Sequence, residues 1–133
     1  MSLAKEMDFI SWFNKESRMR LEKTDGQFTR WDFQDSNYIL ELKIRNDYYA
    51  EKYMQVDKGL SLIQNAEALD KIPLYVVVDT QGTYVFNLNK IEIDGREIIR
   101  MKAPIKTEFG NSKRIYKYFY KLSESEAVKT YKI

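Results

Sequence analysis

"NYILELKIR", Asn37 to Arg45, is the stretch that decides the fold. In an extended chain successive side chains point to opposite faces. Tyr38, Leu40, Leu42 and Ile44 therefore share one face, and Ile39, Glu41, Lys43 and Arg45 the other. The first face is apolar throughout and belongs against a core. The second sets a glutamate beside a lysine, either as a solvated ion pair or as a metal ligand next to a catalytic amine.

Around this strand the pattern is that of an α/β protein. Leu3, Met7 and Ile10, with Phe9 and Phe13 beside them, recur at helical spacing and predict an amphipathic first helix over residues 4–15. "SRMRLEK" and "GQFTRWDF" flank a turn at Thr24-Asp25-Gly26, and "QDSN" leads into Tyr38, which predicts a three-strand antiparallel meander. Val56, Leu60, Ile63 and Leu69 place a second helix over about 50–70, stopping before Pro73 and weakened by Gly59. "PLYVVVD" has the continuous apolar run of a strand covered on both sides, and "GTYVFNL" follows it as another strand. "KIEI", Asp94-Gly95 and "REIIR" suggest a hairpin, "KRIYKYFYK" a late strand, and Ser123 with Glu126 a capping box on a short last helix. The expected fold is a central mixed β-sheet flanked by helices, with an α-β-β-β-α-β core and an additional C-terminal hairpin or strand. With no linker or repeat, residues 1–133 are expected to form one domain.

Composition limits the chemistry. The chain has no histidine and no cysteine, so it cannot supply a histidine base, a thiolate, an ordinary zinc site or a disulfide. Catalysis would have to use carboxylates, lysine, hydroxyls or a hard metal ion held through oxygen. A net charge of +2 is too small to indicate a nucleic-acid partner, so charge distribution has to carry that argument. No window has the apolar length of a membrane span and the N-terminus lacks a signal-peptide pattern, which predicts a cytoplasmic protein with no membrane partner.

If "QDSN" is a four-residue connection, Phe33 faces Tyr38, Trp31 faces Leu40, and the apolar faces of the two strands coincide. Asp32 then lies diagonal to Glu41, at about 7 to 8 Å between backbone positions, and Arg30 lies opposite Glu41. Asp32 and Glu41 can converge on one magnesium ion, which prefers carboxylates, water and phosphate oxygens. Lys43 is close enough to orient the attacking water, help deprotonate it or stabilise charge on the phosphate. The chemistry that fits is phosphodiester hydrolysis.

Asp32 followed after a hairpin by Glu41-Leu42-Lys43 resembles the motif of the PD-(D/E)XK nuclease superfamily, the restriction-endonuclease-like fold. The resemblance runs from the first helix through about Leu88, including "LELK", "KYMQVDKGLSLIQNA" and "PLYVVVDTQGTYVFNL". It implies that Asp32 and Glu41 bind Mg²⁺ or Mn²⁺, that Leu42 contributes its carbonyl, and that Lys43 assists the water. It also implies a metal-binding glutamate on the first helix, Glu6 ahead of Glu16, with Gln55 and Lys58 as further contributors. Trp31 stands where the family's loosely kept proline would precede the aspartate. An acid-x-lysine triplet arises by chance about once in a chain of this size; its weight here comes from its place in the element order. The implied function is metal-dependent hydrolysis of a nucleic acid, DNA ahead of RNA, with a homodimer suited to cutting both strands of a duplex. The alternative is a catalytically inactive nuclease-fold subunit for nucleic-acid binding or assembly. Lys113, Arg114, Lys117 and Lys121 interleave with Tyr116, Tyr118, Phe119 and Tyr120, which suits phosphate contacts and base stacking or, equally, a half-buried strand whose aromatics are core.

Overall fold

The computed structural model describes residues 3–24, 30–104 and 114–133. Helix α1 (Leu3–Ser17) is followed by β1 (Glu22–Lys23), β2 (Phe33–Gln34), β3 (Tyr38–Ile44) and β4 (Glu51–Gln55). Then come α2 (Val56–Leu69), β5 (Ile72–Asp79), β6 (Gly82–Asn87), β7 (Ile98–Pro104), β8 (Arg114–Ser123) and β9 (Lys129–Lys132). A six-stranded mixed sheet has the order β1-β2-β3-β5-β6-β9, and a three-stranded antiparallel sheet the order β4-β8-β7. β3 and β5 are parallel, so the chain must cross over between them, and β4 and α2 make that crossover.

The alternation in β3 sorts its residues between two cores. Leu40 and Leu42 join Phe33, Leu74, Val76 and Val85 under Ile10 and Phe13 of α1. Ile39 joins Tyr75, Val77, Tyr84 and Phe86 on the opposite face, under Leu62 and Ala66 of α2 and Met54, Tyr120 and Leu122 of the small sheet. β5 is buried along nearly its whole length, as its apolar run predicts. Each fully buried Leu, Ile or Phe here contributes about 1.5–3 kcal/mol of transfer free energy.

Several expectations need correction. Residues 51–55 are strand, and α2 begins at Val56. In β4, Lys52 and Met54 point inward at period two and pair with Leu122 and Tyr120, so tertiary pairing overrides the helical reading. Gly59 is where α2 meets β4, since a Cβ there would stand 2.6 Å from the Met54 Cε. Asp94-Gly95 does turn, with Gly95 at φ 78°, but its flanks do not pair as a hairpin; β7 starts at Ile98 and pairs with β8. Arg96 is instead drawn to the carbonyls of Glu92 and Lys121 and to the Glu126 carboxylate. The Ser123–Glu126 capping box is present, on a single 3₁₀ turn. β9 has no counterpart among the strands expected from sequence; Tyr131 anchors it edge-on against Trp12 and Phe13. The meander order β1-β2-β3 holds, although β1 and β2 have two residues each and the Asp25-Gly26 turn lies outside the described residues.

The β2–β3 register also differs. Phe33 pairs with Leu40 and Gln34 with Ile39, two residues from the expected alignment, so the faces are unchanged. Asp35 is the cause: its Oδ1 accepts from the amides of Asn37 and Tyr38 at 2.8 Å, and its own amide donates to the Tyr38 carbonyl. Its side chain thus closes the loop around Ser36-Asn37.

Candidate active site

This tighter turn brings Asp32 closer to β3 than expected. Its amide donates to the Leu40 carbonyl at 2.9 Å, and its Oδ2 accepts from the Leu42 amide at 2.8 Å. A strand residue directs its N–H and C=O to the same edge, so the Leu42 carbonyl faces the edge where the Asp32 carboxylate sits. On the adjoining face the Lys43 Nζ stands 3.4 Å from Glu41 Oε1, both side chains largely shielded from solvent.

Asp32, Glu41, Leu42 and Lys43 line one cleft of about 660 Å³. Glu6 of α1 forms part of its wall and pairs with Lys23 at 3.8 Å. Glu16 acts instead on Tyr131 of β9. Arg30 also lines the cleft, as does Lys58, whereas Gln55 ends β4 and precedes α2 without capping it through its side chain. Four further lining residues, Ile44, Arg45, Asp57 and Ser61, lie outside the set expected from sequence. Arg45 shares the alternating face of Glu41 and Lys43, a signal present in the sequence. Asp57 and Ser61, at i and i+4 with Lys58 between them, are obscured when the helix is started too early.

Burial and the neighbouring Asp32 carboxylate hold the Glu41 carboxyl above the usual carboxylate range, while Lys43 and Lys58 pull it down. A group with a raised folded-state pKa contributes stability at low pH and loses it as pH rises through that pKa. Glu41→Gln is therefore expected to unfold at a higher temperature than wild type at pH 8, with the difference closing as pH falls from the raised Glu41 pKa to the ordinary carboxylate value. Melting curves from pH 4 to 8 check this; a variant less stable than wild type at pH 8 would contradict it.

Among the described residues no three acidic side chains converge as a ready-made cation cage. The donor set nevertheless fits a magnesium ion, which is commonly held by one or two carboxylates and completed by water and phosphate. Asp32, Glu41 and the Leu42 carbonyl are all hard oxygen donors, and the electrostatic cost of setting Glu41 against Asp32 is of the kind a cation relieves.

The late strand resolves its two readings residue by residue. Tyr120 is core, but Tyr116 and Tyr118 are 52% and 53% exposed. They lie across from Lys102 and Arg100, and the Arg100 guanidinium lies 4.3 Å from the Tyr116 ring centroid. Lys113 lies outside the described residues.

The mixed α/β arrangement, a central mixed sheet with two helices, is consistent with a restriction-endonuclease-like fold. The solved structure of Hjc, a Holliday junction resolvase from the archaeal hyperthermophile Archaeoglobus fulgidus, is similar to this chain with a TM-score of 0.57 at 16% identity, over 96% of this chain and 88% of that one. No family model and no curated protein matches the sequence. No helix among the described residues is long and apolar enough to cross a membrane.

Proposed function

We propose that this protein is a divalent-metal-dependent nuclease acting on DNA, with Asp32, Glu41 and Lys43 as its catalytic residues. The observation that supports this most is Asp32 bonded to the Leu42 amide, which sets its carboxylate beside the Glu41-Leu42-Lys43 segment in an open cleft. Asp32, Glu41 and the Leu42 carbonyl would hold Mg²⁺ or Mn²⁺, while Glu6 stands on the wall paired with Lys23. When bound, the ion polarises the scissile phosphate and lowers the pKa of a coordinated water.

The protein's own groups do the rest. Lys43 donates to the attacking water and to the phosphate oxygen that gains charge, a role suited to a fixed ammonium. Its 3.4 Å contact with Glu41 limits the ammonium's reach and orients it. Arg30, Arg45 and Lys58 on the walls supply positive charge for the flanking phosphates. The neighbouring fold supports DNA as the substrate class, and two copies would suit cleavage of both strands. The test is cleavage of labelled duplex, single-stranded and branched DNA with Mg²⁺, Mn²⁺ or EDTA. Metal-dependent cutting of any of them supports the reading, and no cutting of any of them rejects it.

The β7–β8 ribbon would hold the backbone. Neither strand contains an acidic residue, and together they carry Arg100, Lys102, Lys117 and Lys121. Arg100→Ala with Lys102→Ala should weaken DNA binding at 50 mM salt and reduce the slope of log K against log salt by about 0.9 for each phosphate no longer neutralised. An unchanged slope would remove the ribbon from the interface.

A further inference from the structure

Next to the cleft lies a second concavity of about 250 Å³ between the two sheets. Arg45 lines both, so they adjoin across one side chain. The cleft is walled largely by charged groups, whereas the second concavity is walled mainly by rings and apolar chains: Tyr49, Tyr53, Tyr75, Val77, Met101 and Phe119. Building on the nuclease reading, we propose that this pocket takes one nucleobase unstacked from the strand, adjacent to the phosphate held at Arg45. The substrate would then be DNA with unpaired nucleotides beside the cut, such as single-stranded or branched DNA, rather than continuous duplex.

Size, chemistry and charge agree on that occupant. The volume lies just below the roughly 300 to 1,000 Å³ typical of drug-sized ligands, the scale of a single planar heterocycle. Tyr49 is 60% exposed, which leaves its ring available for stacking, while the Tyr75 hydroxyl is already spent on the Tyr53 carbonyl at 2.8 Å. Burial keeps the Tyr75 phenol above its ordinary pKa, so that ring stays neutral. Asp47, Glu51 and the mutually paired Lys52 and Asp79 also line the pocket; beyond that neutral pair the added charge is acidic and opposes a phosphate entering it. The anionic backbone is thereby left at Arg45 and only the neutral base goes in. A base inside a continuous duplex stays stacked and cannot follow without flipping out.

The experiment uses a single-stranded oligonucleotide carrying 2-aminopurine and the same strand annealed into continuous duplex, bound to the full chain in EDTA, with cleavage in Mg²⁺ measured separately. The proposal expects fluorescence quenching and tighter binding for the single strand. Tyr49→Ala should weaken single-strand binding by roughly 5- to 150-fold, the range for one aromatic–base stack, and leave duplex binding unchanged; Tyr49→Phe should restore it. Equal effects of Tyr49→Ala on both substrates, or none on either, would overturn the pocket assignment even if wild-type cleavage is normal. Selective loss with Tyr49→Ala in a protein that cuts nothing would uphold the pocket and reject the nuclease reading.

Discussion

Lys43→Ala is expected to lower the cleavage rate by about 10²- to 10⁴-fold, the usual contribution of one positioned proton-handling or charge-stabilising group, without loss of the fold. Lys43 pairs with Glu41 in a contact largely shielded from solvent, so its removal takes away a cation that favours the Glu41 carboxylate and costs some stability; a melting curve confirms that the variant is folded before its rate is read. Asp32→Asn should reduce cleavage similarly. Its carbonyl oxygen can still accept from the Leu42 amide, which preserves the local backbone while removing the charge. Single-turnover rates alongside DNA affinity separate the effects: kcat should collapse while binding stays within a few-fold. A parallel fall in both would mean that these residues bind DNA rather than catalyse. The Glu41→Gln variant should pair greater stability at pH 8 with lost cleavage, since the charge that burial and Asp32 disfavour is the one needed for a metal ligand.

The largest expected effect on stability lies away from the cleft. Lys52 and Asp79 are 4% and 6% exposed, and Lys52 Nζ lies 2.9 Å from Asp79 Oδ2. Lys52 also donates to the Tyr49 carbonyl and sits over the rings of Tyr48 and Tyr84, at 4.4 and 4.1 Å from their centroids. The other Asp79 oxygen accepts from the amides of Gln81 and Gly82 in the β5–β6 turn. One lysine thus ties β4 of the small sheet to β5 of the large one. Lys52→Met leaves the Asp79 carboxylate buried without its cation and should cost about 3–5 kcal/mol, roughly 10 to 20 °C in Tm. Adding Asp79→Asn should recover a large part of that loss, because the uncompensated charge goes with it. A Lys52→Met protein within about 1 kcal/mol of wild type by urea unfolding would show that the pair does not hold the sheets together.

What was legible in the sequence follows from where local pattern and tertiary structure agree. β3 and β5 are strongly patterned, and α1 keeps its apolar face, so the mixed sheet and its flanking helices could be read directly. That Asp32, Glu41 and Lys43 would line one cleft could be read because Glu41 and Lys43 share a face of β3 and a two-residue register difference leaves the faces of the adjoining chain unchanged. Asp35 could not be foreseen as the residue that tightens the turn, since its role depends on which amides it meets. β4 was hidden because Lys52 looks like a surface residue until Asp79, Tyr48 and Tyr84 surround it. Arg45 was visible on the right face, but its place between the cleft and the aromatic pocket depends on the small sheet, whose pairing of β4, β7 and β8 spans distant parts of the chain.

Calorimetric titration of Mg²⁺ into wild type and into Asp32→Asn with Glu41→Gln, in the presence of a non-cleavable phosphorothioate DNA, tests the central claim most directly. The account predicts saturable binding by wild type that is lost in the double variant while DNA affinity persists. DNA binding without any magnesium binding by wild type would contradict it and leave Glu41 and Lys43 as a charged surface on an inactive nucleic-acid-binding subunit.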